Sequence, residues 1–152
     1  VTIALPAPER ARETETTISR AIRRDVGRIP GLRLARNNTG ILRDERGIPI
    51  RFGLGDGSPD LVGLITFGGA QSCDPTLDLP LPLALAFGLE VKVPGKRATR
   101  QQQAWHLVAD RRGMLVQTVT SSAEAVVAVH RMIATYRSRL RNACGSLSPP
   151  RP

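Results

Sequence analysis

Two short stretches of the chain bring together side chains able to do chemistry. In Gly57-Ser58-Pro59-Asp60-Leu61-Val62-Gly63 an acid stands at the mouth of a predicted strand. In Leu89-Glu90-Val91-Lys92-Val93 an apolar strand carries an acid and an amine. Side chains alternate along a strand, so Glu90 and Lys92 share one face while Leu89, Val91 and Val93 take the other. Charge on an apolar strand is costly if that face is buried, unless it is used. An Asp and a Glu together offer oxygen ligands to a hard divalent cation. A lysine beside them can orient or deprotonate an attacking water and stabilise charge on a phosphate. That set suits metal-assisted phosphodiester hydrolysis. The same Glu90 and Lys92 also read as a cross-strand charge pair on a solvated face.

Two further polar residues fall on faces that point toward this chemistry. Glu15 precedes Ile18 and Ile22 at helical spacing, so it continues the apolar face of the first predicted helix. An acid in a first helical turn is also favoured by the helix dipole alone. Gln102 shares a face with Trp105, Val108 and Ala109, and its spacing from Thr99 is that of a capping box. Trp105 is expected in the core. His106 and His130 stand apart on predicted helices, and Cys73 and Cys144 make no Cys-x-x-Cys pair. Zinc coordination, histidine-based catalysis and a disulfide framework are therefore not expected.

The elements that must position these residues follow from periodicity and breakers. A helix is predicted from Thr14 to about Val26, closed by Gly27 and Pro30-Gly31, and a strand over Leu32–Arg36. Residues 37–58 are rich in Gly, Asn and Asp, with Ile48–Phe52 as one arm of a hairpin. Leu61–Phe67 reads as a buried strand, Gly68–Pro82 as a loop and Leu83–Val93 as a second strand. Thr99–Arg112 is a helix, Met114–Val119 a strand and Ser121 to about Arg139 a last helix, opened by a Ser121–Glu124 capping box. The fold class is α/β, a small mixed β-sheet flanked by helices. Residues 1–12 are expected as a flexible extension, 13–141 as the domain and 142–152 as a flexible tail.

At 152 residues and 41% hydrophobic content the chain is one folded domain and not a disordered polycation. It has 22 basic against 13 acidic side chains, a formal charge of +9. Only Lys92 and Lys96 are lysines, and guanidinium groups suit bidentate phosphate contact. A GC-rich genome would also write Arg for Lys. No apolar run of ~20 residues is present, so no membrane partner is expected. No basic leader precedes an apolar stretch, and the expected compartment is the cytoplasm. Gly53-x-Gly55-x-Gly57 precedes a strand and not a helix, which removes the phosphate-binding reading of those glycines.

Five segments stand in one order: Glu15-x-x-Ile18-x-x-Ala21-Ile22, Arg36-Asn37-Asn38-Thr39-Gly40, Arg51 through Pro59-Asp60-Leu-Val-Gly, Glu90-Val-Lys92, and Thr99-x-x-Gln102-x-x-Trp105. In that order the chain, from about Glu15 to Val127, resembles the virus-type replication-repair nuclease (VRR-Nuc) domain of the PD-(D/E)xK superfamily. The resemblance implies a PD-(D/E)xK, restriction-endonuclease-like core and a Mg²⁺- or Mn²⁺-dependent nuclease. It implies that Asp60 and Glu90 bind metal, with the Val91 carbonyl as an extra ligand and Glu15 on the metal or its waters. Lys92 would position or activate the water, and Gln102 would orient Lys92 or the scissile phosphate. Arg36, Asn37 and Asn38 would touch DNA, joined by Arg51, Ser58, Lys96, Arg97 and Arg100. The long, partly apolar Gly68–Phe87 segment departs from the family pattern.

Small stand-alone members of this kind resemble junction-resolving enzymes. The expected function is therefore cleavage of branched DNA such as Holliday junctions by a homodimer, whose two sites can cut two strands. Leu77, Leu79, Leu81, Leu83 and Leu85 would cover either that interface or the chain's own sheet. A flap or single-strand nuclease is the near alternative. From a different class, the basic stretch Lys96-Arg97-x-x-Arg100 with Arg111-Arg112 would serve a non-catalytic DNA-binding module.

Overall fold

The computed structural model describes residues 14–70, 72–74, 76–77, 79 and 81–145. The elements run α1 (Glu15–Val26), β1 (Leu32–Arg36), β2 (Gly40–Arg43), β3 (Pro49–Phe52), β4 (Leu61–Phe67), β5 (Leu83–Val91), α2 (Arg100–Arg111), β6 (Leu115–Val119) and α3 (Ser122–Gly145). They form a mixed α/β fold. Four strands make one sheet in the order β1-β4-β5-β6, and β2 with β3 makes a separate hairpin. β1, β4 and β5 pair antiparallel, while β5 and β6 pair parallel across the α2 connection.

Ile18, Ile22 and Val26 put one stripe of α1 into the core, where α3 contributes Ala125, Val129, Ile133 and Tyr136. Thr14 caps α1 by accepting the Thr17 N–H, and the Thr17 hydroxyl returns to Thr14. The two helices are also tied where Ser122 donates to Asp25 at 2.7 Å. Arg24, with Ser122, holds the Asp25 carboxyl far below the ordinary range. At the head of α3 the Ser121 hydroxyl accepts the Glu124 N–H. The Glu124 carboxylate reaches Thr120, one residue further back than a capping box predicts. Helix α3 runs on to Gly145, so Asn142–Gly145 are helical where a flexible tail is predicted. The predicted N-terminal extension and residues 146–152 lie outside the described residues.

Strand β4 departs from the prediction of full burial. Leu61, Gly63, Ile65 and Phe67 face the core, whereas Leu64 is exposed on the other side. Gly63 is required there, because a Cβ would strike the Phe87 ring and the Arg33 carbonyl. In β5 both faces are covered at the C-terminal end. Phe87, Leu89 and Val91 join the core, and Gly88 lies under Pro59 and Met114. That double cover explains an apolar run interrupted by one acid.

Most of the leucine stretch covers the chain's own sheet. Leu77 is in the core and Leu79 and Leu85 pack against it, while Leu81 is 75% exposed. Asp74 fastens this segment to α3, accepting from Thr76 and pairing with Arg137 at 2.6 Å. Trp105 is half-buried against His106 and lies outside the core cluster in which it is expected. The only apolar residue α2 buries is Ala109. Among the described residues no helix is long and apolar enough to cross a membrane.

Candidate active site

Register places the acids together. Leu61 pairs with Leu89 across β4 and β5, so the preceding Asp60 stands beside Glu90. The Asp60 carboxylate accepts the Val91 N–H at 2.8 Å. Its backbone is fixed from β1, where the Asn37 N–H donates to the Asp60 carbonyl. The Asn37 amide also donates to the Ser58 hydroxyl at 2.8 Å and to the Pro59 carbonyl at 2.9 Å. Asn37 and Ser58, both expected to touch DNA, are thus engaged with each other in holding the turn that presents Asp60.

Glu90 is 0% exposed, which removes the reading of a charge pair on a solvated face. One oxygen, Oε1, accepts from Gln102 Nε2 at 2.5 Å and lies 2.6 Å from Lys92 Nζ. The other, Oε2, is buried and has no partner. Burial pushes the carboxyl up to about 7 against the pull of Lys92, and the neighbouring Asp60 charge adds to the rise. Lys92 is 13% exposed. Burial draws its ammonium down, but Glu90, Glu15 and Asp60 outweigh that, and its pKa ends above the ordinary value. In the metal-free protein Lys92 is therefore a cation placed to orient a water. Glu15, in the first turn of α1, lies 3.8 Å from the same ammonium.

Gln102 joins two functions that the sequence offers as alternatives. Its Oε1 accepts the Thr99 N–H at 2.8 Å and closes the capping box, while its Nε2 holds Glu90. The cap therefore fixes the rotamer that reaches the acid. His106 follows on α2 with its Nε2 buried and unpartnered; burial, then the Lys92 charge, lowers its pKa.

A cleft of about 180 Å³ opens beside these groups, with Asp60, Val91, Glu15 and Arg36 on its wall. Thr16, Ser19, Arg20 and Arg23 of α1 complete it. These four recur at helical spacing, a polar stripe beside the apolar one, and that spacing is the signal for them. Asn38, Lys96, Arg97 and Arg100 are exposed, and Arg51 pairs with Asp56 at 2.9 Å. The hairpin carries a second unforeseen feature. Register puts Gly40, Leu42, Ile50 and Phe52 on one face and Arg43 and Arg51 on the other. Leu42 is 64% exposed, and Ile50 and Phe52 are exposed with it.

No protein-family model, curated protein or solved structure matches the chain. Among the described residues no three His, Cys, Asp or Glu side chains gather into a metal-binding group. Two carboxylates and a carbonyl suit an ion that keeps several waters, as Mg²⁺ does, better than one needing an all-protein cage. The buried Oε2 of Glu90 fits such an ion, because it is an acceptor withdrawn from water that has no donor among the described residues.

Proposed function

We propose that the chain is a Mg²⁺- or Mn²⁺-dependent DNA endonuclease of the VRR-Nuc kind, with a PD-(D/E)xK core, that hydrolyses phosphodiester bonds in branched DNA such as Holliday junctions as a homodimer. The observation that carries the reading is Glu90. It is an acid buried at 0% exposure, with one oxygen held by Gln102 and Lys92 and the other bare, beside Asp60. A DNA-binding module gains nothing from so costly a group, which favours catalysis over simple binding.

Asp60, Glu90 and the Val91 carbonyl would hold the metal. Bound there, it would supply Lewis-acid stabilisation of phosphate charge and lower the pKa of a bound water. Lys92 positions or activates the attacking water and stabilises negative charge on the phosphate. Glu15 steadies Lys92 from the α1 side. Gln102 fixes the Glu90 carboxylate and is itself locked by the Thr99 cap. Arg36 faces the cleft and grips the strand.

The uncovered face of Leu42, Ile50 and Phe52 supports a homodimer better than the leucine segment does, because most of that segment covers its own sheet. Incubation with four-way junction, flap, splayed and duplex DNA, with Mg²⁺, Mn²⁺ or EDTA, tests the function. Symmetric junction cuts that need the metal support it. Preferred cutting at flaps selects the near alternative, and tight binding without any cut selects the DNA-binding module.

A further inference from the structure

The cleft beside Asp60 holds more positive charge than the proposed chemistry uses. Arg20 and Arg23 of α1 and Arg36 of β1 line it, with Glu15 and Asp60 as its acids. Among the described residues none of these guanidiniums has a hydrogen-bond or ion-pair partner, whereas Arg24, Arg51 and Arg137 each pair with an acid. Thr16 and Ser19 add hydroxyls to the same wall, at the spacing that stacks them beside Arg20 and Arg23. The 180 Å³ of open space equals about six water volumes, room for a phosphate group. Unpaired arginines and hydroxyls converging on a concave, solvent-open surface make an oxyanion site, since the planar fork matches phosphate oxygens two at a time.

We propose that the α1 side of this cleft is a subsite for a phosphodiester of the nucleic-acid strand next to the one that is cut, with Arg20 and Arg23 as its ligands. At 1.5 Å per residue, Arg20 and Arg23 lie about 8 and 12 Å further along the α1 axis than Glu15. That distance puts them on neighbouring phosphates and not on the one beside Asp60. The strand then runs along α1, one phosphate at the carboxylates and the next in the arginine cleft. The order of the two along the strand fixes its register against Lys92. The identity of the strand rests on the nuclease reading; the oxyanion site itself does not.

The test compares the full-length wild type with Arg20→Gln/Arg23→Gln and with a matched pair outside the cleft, Arg33→Gln/Arg131→Gln. Fluorescence anisotropy of labelled DNA in EDTA, across a salt series, reads binding without cleavage. The cleft pair is expected to lose at least tenfold in affinity and to flatten the salt dependence by about two counterions. The matched pair should lose less than threefold. Arg20→Lys/Arg23→Lys should keep the salt slope and recover only part of the affinity, because the fork is gone. Equal losses in the two Gln pairs would reduce the cleft to net charge and overturn the proposal. Orthophosphate at matched ionic strength should release DNA from wild type more than from the cleft pair; orthophosphate that binds the cleft and leaves DNA in place would assign the site to free phosphate and overturn the strand reading. A wild type that binds as expected but cuts nothing overturns the nuclease reading and leaves the subsite standing.

Discussion

Replacing Glu90 by Gln should remove a loss of stability that the metal-free protein suffers as pH rises, and the size of the effect follows from burial. An ordinary glutamate ionises near 4.5, and Glu90 does so near 7 in the fold. The folded state therefore binds a proton that the unfolded chain has released. Stability from this group is complete below about 4.5 and is lost as pH rises through 7. A shift of that size corresponds to about 3 kcal/mol. The Gln variant keeps an acceptor for Gln102 but has no charge to bury, so its stability should not fall in that window. Urea unfolding in EDTA between pH 4 and 8.5 reads the difference. Glu90→Gln minus wild type should rise by roughly 3 kcal/mol across the window, on the order of 10 °C in Tm. Saturating Mg²⁺ should remove most of that difference at pH 8 by stabilising the wild type alone. A difference flat in pH, or one that falls, would refute the reasoning.

Three further outcomes are expected. Asn37→Ala removes the donors to Ser58 and Pro59 and should cost about 1–3 kcal/mol in urea unfolding; kcat should fall more than KM rises, because Asp60 loses its support. Gln102→Glu can still accept the Thr99 N–H but cannot donate to Glu90, so single-turnover cleavage should drop at least tenfold while Gln102→Ala also loses about 1 kcal/mol of helix cap. Tyr136→Phe strands the buried Leu115 N–H, whose acceptor is the Tyr136 hydroxyl at 2.8 Å, and should cost about 1–3 kcal/mol by denaturation without changing cleavage at the permissive temperature.

The sheet was legible wherever period and breakers agreed. β1 and β4 occupy the residues that alternation and the apolar run predict, and both ends of α2 fall within a residue of prediction. Period two alone puts Glu90 and Lys92 on one side; that Asp60 meets them depends on a cross-strand register that only folding sets. Asn37 was visible as a residue of interest, but its partners are 21 and 22 positions away, so its role as a fastener was not. The stripe of Thr16, Ser19, Arg20 and Arg23 does not stand out in the sequence, because the solvated face of any amphipathic helix carries polar residues at that spacing. The first hairpin arm, Gly40–Arg43, is short and stands outside the main sheet, too weak a pattern to register as a strand. Helix α3 outran its prediction because nothing between Arg139 and Gly145 forbids a helix, although Cys144-Gly145 resembles a stop.

In the proposed reaction the carboxylate buried beside Asp60, with Lys92 at 2.6 Å, would hold the metal through which DNA is cut. Single-turnover cleavage of a four-way junction in Mg²⁺ by wild type, Asp60→Asn and Lys92→Ala, each first shown to bind the junction, tests it most directly. Metal-dependent cutting by wild type is expected, with losses of at least a hundredfold in both variants and binding within about threefold. Cutting at wild-type rate by either variant, or no cutting by any of the three, would contradict it.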